Sequence, residues 1–276
     1  GETPESGVFA NGLDAWLADE LRRAGLGEDE VWPRRSEPRV ISPDAVKIGE
    51  RLATLEATVE QREQNNPGKE VMMPSLRNSL FAIRKSLPGS VNVNVLGRFY
   101  RKQIDVLLRH DEIGPALMIS GKTMSKDFGN NIKNRFEEAM GDGTVLKARF
   151  PLAPLGYVML VRETVLSSGR HYHDLDTMIR SLQTAPEGRY DAAALVVASW
   201  NDPPASGAPA GWTSGFKVLD SGSQGIANDD LDLSHFLQKL LERLFETTPD
   251  TYFEEARRRW GYTSAGVPLT PPPGPV

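Results

Sequence analysis

The chain has 276 residues, 39% of them hydrophobic and 25% charged, a globular balance that excludes fibrous and disordered classes. It has no cysteine, which removes disulfide frameworks, thiol nucleophiles and thiolate-held zinc together. The formal net charge of -5 argues against indiscriminate coating of nucleic acid, yet it hides a basic stretch from Arg84 to Lys147 that would suit a local cleft.

In chain order, Leu13 to Ala24 reads as an amphipathic helix, with Leu13, Trp16, Leu17, Leu21 and Ala24 on its apolar stripe, Asn11 as cap and Gly25 as stop. A second helix is expected over Ala45 to Gln64, ended by Asn65-Asn66-Pro67-Gly68, and a short one from Pro74 to Lys85. At Val91, Val93 and Val95 the apolar period changes from that of a helix to that of a strand. A strand over Gln103 to Leu108 should turn through His110, Asp111 and Gly114 into another over Ala116 to Ser120. A helix from Asp127 to Met140 follows, with Gly141 and Gly143 as its stop, then a strand over Tyr157 to Arg162, a helix over His173 to Leu182 and an apolar strand over Ala192 to Ala198. Asn201 to Gly211 is loop-like. Leu231 to Phe245 and Phe253 to Trp260 return to helical spacing.

This alternation predicts an α/β or α+β fold, a mixed sheet flanked by helices. The expected organisation is a single domain over residues 1–265, its core at about 11–200, with an added C-terminal helical segment and a Pro-rich tail over 266–276. No apolar run approaches the roughly 20 residues that cross a bilayer, and the N-terminus has no secretion-signal pattern, so a cytoplasmic protein without membrane contact is expected.

The chemistry concentrates between Gln103 and Met124. Adjacent strands in the right register would bring Asp105 and Lys122 to one sheet edge. Asp105 can bind Mg²⁺, a hard cation that takes oxygen ligands, and the Gly121 carbonyl can add another. Lys122 can place positive charge beside an attacking water and a phosphate. A second carboxylate is then needed. Glu20 lies between Leu17 and Ala24 on the apolar stripe of the opening helix, where a carboxylate must find a partner. Glu137 and Glu138, on the helix after the second strand, are the alternatives, and consecutive helical residues cannot both face the site.

Ile104-Asp105, then Ser120-Gly121-Lys122, inside the string from Gln103 to Met124, resembles the PD-(D/E)XK nuclease superfamily, in particular its restriction-endonuclease-like branch. The resemblance spans roughly half of the chain. Ile104 replaces the proline of the pattern, and Ser120 replaces the acidic residue before the lysine. The resemblance implies a Mg²⁺-dependent DNA endonuclease of type II restriction-like character, with Mn²⁺ as a substitute. It gives metal binding to Asp105 and activation of water or phosphate to Lys122, with Gln103 orienting water and Ser120 supporting the hydration shell. Arg98 and Arg101 would contact backbone phosphates. Double-stranded DNA as substrate, a homodimer and a prokaryotic setting are also implied.

Other chemistries fit less well. Ser120-Gly121-Lys122-Thr123 lacks the Gly-rich run of a phosphate-binding loop, and His110, His171, His173 and His235 do not form an HExxH pattern. The alternative of a different class is a noncatalytic DNA-binding or assembly module that keeps the fold, a reading favoured by Ser120 in the acidic position.

Overall fold

The computed structural model describes residues 4–33, 93–184, 189–202, 214–219, 226 and 231–262, together with scattered positions between 51 and 78. The second expected helix is described only at scattered positions between 51 and 65, all helical; of the Pro74 to Lys85 segment only Asn78, also helical, is described, and most of the Asn201 to Gly211 loop and the Pro-rich tail lie outside the described residues.

The protein is an α/β fold built on a mixed sheet. Helix α1 (Pro4–Arg23) is followed by strand β1 (Val31–Trp32). Strands β2 (Val93–Leu96) and β3 (Arg101–Ile104) form a separate two-stranded ribbon. Then come β4 (Val106–His110), β5 (Gly114–Met124), α2 (Phe128–Lys147), β6 (Leu155–Arg162), a 3-10 turn (Glu163–Ser167), α3 (Gly169–Gln183) and β7 (Ala192–Ser199). A short edge strand β8 (Lys217–Val218) and helices α4 (Leu233–Thr247) and α5 (Glu254–Arg259) complete the order.

The main sheet has six strands in the order β1-β4-β5-β6-β7-β8. β4 and β5 are an antiparallel hairpin, whereas β5, β6 and β7 run parallel. The parallel strands must be covered on both faces, because the helices that connect them lie against the sheet. That requirement explains why β6 reads Leu-Gly-Tyr-Val-Met-Leu-Val without polar alternation, and all seven of these residues are buried. On one face α1 and α4 pack Leu17, Leu21, Phe236 and Leu240 against Val106, Leu117, Ile119 and Val158. On the other, α2 and α3 pack Ile132, Leu146, Leu175 and Ile179 against Leu107, Met118, Tyr157 and Met159.

Three expectations are corrected. Helix α1 starts at Pro4, a position where a missing N–H costs nothing, so Asn11 is interior to the helix and not its cap. Helix α2 runs through Gly141 and Gly143 to Lys147. A Cβ at Gly143 would lie 2.6 Å from Cβ of Arg189, so this glycine allows close packing and is not a stop. The strand expected over Gln103 to Leu108 is broken at Asp105, where the chain passes from the ribbon into the main sheet.

Candidate active site

The break in the strand sets the position of Asp105. β4 pairs with β5 from Val106↔Ile119, and two further residues of that register would bring Ile104 opposite Gly121. Ile104 instead pairs with Val93 in the ribbon. Asp105 fills the gap, its Oδ2 accepting the Gly121 N–H at 2.8 Å. In an extended strand the N–H and C=O of one residue leave on the same side, so the Gly121 carbonyl faces the same edge as Asp105.

Lys122 continues this edge. Side chains alternate along β5, so Lys122 shares the α2 face with Met118 and Ser120. Its Nζ lies 3.5 Å from Glu138 Oε1. Glu138 is also 2.8 Å from Arg135 and 3.6 Å from Lys102, and Lys102 Nζ is 2.5 Å from Asp142 Oδ2. Burial pushes the Glu138 carboxyl up, but the Arg135 hydrogen bond, Lys122 and Lys102 outweigh it and hold the group below its ordinary value. Lys102 is held above its own ordinary value despite burial, through Asp142 and Glu138. Helix α2 therefore sets the ionised Glu138 carboxylate beside the ammonium of Lys122.

The opening helix contributes Asp14, a residue that sequence reasoning missed. Asp14 is pushed up to about 7, first by burial, then by the charge of Asp105, with Lys122 opposing. It approaches from the α1 face, Lys122 lies on the α2 face, and Asp105 sits at the strand edge between them. Gly121 makes this approach possible: a Cβ there would lie 2.7 Å from Asp14 Oδ1. The signal was present in the spacing, because Leu17, Ala18 and Leu21 lie three, four and seven residues after Asp14 and are all buried. The expected stripe was rotated slightly by counting Trp16, which is 38% exposed.

Glu20 faces elsewhere and forms an ion pair with Arg23 one turn on. Neighbouring Arg22 is buried and donates to the carbonyls of Val31 and Pro33 at 2.9 and 2.7 Å, anchoring this end of α1 to β1. Glu137 is 63% exposed and 3.9 Å from Lys133, so Glu138 is the member of that pair that reaches the site. Gln103 is exposed on the ribbon opposite Asn94, and the break at Asp105 means that Gln103 and Asp105 do not share one continuous strand face. Ser120 is 2% exposed and in register with Tyr157, whose buried hydroxyl has no hydrogen-bond partner among the described residues. Arg98 and Arg101 lie at the ribbon turn and at the start of β3.

Whether these residues suit a divalent cation turns on the donor set. Burial also pushes Asp105 up, against Lys122, the Gly121 N–H and Lys102. The charge of Asp105 adds to burial in raising Asp14, a pairing of carboxylates that a cation would relieve. Among the described residues there is no group of three or more His, Asp or Glu side chains spaced to hold a metal. Mg²⁺ commonly takes only one or two carboxylates and keeps waters and substrate oxygens for the rest. Asp14, Asp105 and the Gly121 carbonyl are oxygen donors of the type that such a smaller set uses.

The histidines are dispersed: His110 stacks on Tyr252 at 4.1 Å, and His235 Nδ1 lies 3.1 Å from Asp232. Among the described residues no helix is long and apolar enough to cross a membrane. Comparison with known protein families, with curated proteins and with solved structures finds no match to this chain. The mixed sheet flanked by helices is consistent with a general restriction-endonuclease-like architecture.

Proposed function

We propose that this chain is a divalent-metal-dependent DNA endonuclease of restriction-like type. The observation that carries the reading is the meeting of Asp14, Asp105 and Lys122 at one edge of the sheet, with Gly121 between them. Asp14, Asp105 and the Gly121 carbonyl would hold Mg²⁺ or Mn²⁺. A cation bound there would polarise the scissile phosphate and lower the pKa of the attacking water. Lys122, steadied by Glu138, presents a fixed ammonium to the phosphate oxygens and the incoming water, and stabilises charge that grows as the phosphodiester bond breaks. No covalent link to the protein forms. Ser120 is small and buried beside Lys122, which leaves the acidic ligand to come from α1.

Two strands need two sites, so a homodimer acting on double-stranded DNA is the assembly proposed. Sedimentation on a short duplex should give the mass of the DNA plus about twice the 30.4 kDa chain mass.

The test is incubation with supercoiled and linear DNA in Mg²⁺, in Mn²⁺ and in chelator. Metal-dependent cleavage should fall by at least about a hundredfold in Asp105→Ala and in Lys122→Ala. DNA binding without cleavage, across many sequences and both metals, would favour the noncatalytic module.

A further inference from the structure

The ribbon of β2 and β3 has one committed face and one free face. Val93, Val95 and Ile104 point inward and are buried over α2. Lys102, also inward, is tied to Asp142. The outward face presents Asn94 opposite Gln103, and Leu96 opposite Arg101, all exposed. The turn adds Arg98 and Phe99, the guanidinium 5.3 Å from the ring centroid, and Phe99 is 72% exposed. Among the described residues neither Arg98 nor Arg101 has an ion pair, in contrast to Lys102 beside them.

An exposed two-stranded ribbon with facing amides, and with guanidiniums that have no ion pair among the described residues, has a recognisable complement. The major groove of B-DNA is about 12 Å wide and admits a two-stranded β-ribbon. The side-chain amides of Asn and Gln match the donor and acceptor of an adenine edge, and Arg matches the two acceptors of guanine. A merely anionic surface would call for cations and make no use of the neutral Asn94 and Gln103 pair.

We infer that the β2–β3 ribbon is the base-reading element of this protein, entering the major groove of double-stranded DNA with Gln103, Asn94 and Arg101 towards the base edges and Arg98 on a phosphate. The inference rests on the nuclease reading for its position along the DNA. β3 leads directly into Asp105, and at about 3.3 Å per residue Arg101 lies roughly 13 Å from it. That is about four base-pair steps at roughly 3.4 Å each, so the bases read are those nearest the cut.

The test separates binding from cleavage. The full chain, Gln103→Ala, Arg101→Ala and Arg98→Ala are each used to select from a pool of random duplexes in Ca²⁺, with Mg²⁺ cleavage assayed in parallel. Wild type should enrich a motif. Gln103→Ala and Arg101→Ala should each lose preference at a different nearby base pair, with discrimination there falling roughly tenfold or more. Arg98→Ala should weaken binding to all sequences alike and flatten its salt dependence. Unchanged melting temperatures would show that these exposed substitutions leave the fold intact. The same motif in wild type and both base-reading variants would overturn the inference, as would failure of wild type to enrich any duplex motif. Loss of preference as expected, with no cleavage in Mg²⁺ or Mn²⁺, would keep the ribbon as reader and remove the hydrolytic reading alone.

Discussion

Asp14 and Glu20 lie on the same helix, and their surroundings give them opposite work. Glu20 has a cation one turn away in Arg23, whereas Asp14 faces another carboxylate across Gly121. Asp14→Asn should therefore lose metal-dependent cleavage by about a hundredfold or more, while Glu20→Gln should stay within a few-fold of wild type. Cleavage rates at saturating Mg²⁺ decide between them. The same residue sets a pH dependence. The folded state raises Asp14 from 3.8 to about 7, so the metal-free fold binds the proton more tightly than the unfolded chain. The contribution of Asp14 to stability is then greatest below pH 4, falls as pH rises towards 7, and levels off above it. The displacement bounds this contribution at roughly 4 kcal/mol. In melts of metal-free protein, Asp14→Asn should flatten the decline between pH 4 and pH 7. A divalent cation needs the ionised form, so the rise in melting temperature with Mg²⁺ should be larger at pH 8 than at pH 6 and should shrink in Asp14→Asn.

At the scale of elements, α2 and α5 each hold a buried or half-buried charge network. Arg257 of α5 is 3% exposed and donates to the carbonyls of Phe245 and Thr248 at 2.9 and 2.8 Å, closing the C-terminal end of α4. Arg257→Ala would leave those carbonyls without their charged donor and should cost about 2–4 kcal/mol in denaturant unfolding. Its distance in sequence from the site predicts little change in cleavage at low temperature. The elements also show what sequence alone could reveal. The apolar runs of β6 and β7 and the stripe of α4 were legible, because burial on two faces or on one stripe leaves a direct trace in residue type. The division of the Gln103 to Leu108 strand was not, since nothing in Gln-Ile-Asp-Val-Leu marks where a strand exchanges one partner for another. Asp105 and Lys122 were legible as neighbours because a short turn at Asp111 joins their strands, whereas the one-residue register shift between Leu108 and Arg109 was not. Asp14 was hidden by Trp16, an aromatic that counts as core in a periodicity argument but is partly exposed on the helix.

Across the whole molecule, the sheet separates two layers of packing and the candidate site draws on both. Phe236 of α4 is fully buried against β6 on the α1 side. Phe236→Ala should cost about 3–5 kcal/mol by calorimetry or denaturant unfolding, with activity retained below the melting transition. The net charge of -5, together with Arg98 and Arg101, which have no ion pair among the described residues, predicts that DNA affinity will fall steeply with salt, since attraction is local. The division of the strand at Asp105 has one more consequence. The ribbon and the main sheet are two separate hydrogen-bonded bodies joined at this residue, and Asp105 is the single residue between their last and first paired positions. The ribbon is also held to α2 through Lys102 and Asp142, so a substitution that shifts the ribbon against α2 would be felt first at the bond between Asp105 and the Gly121 N–H.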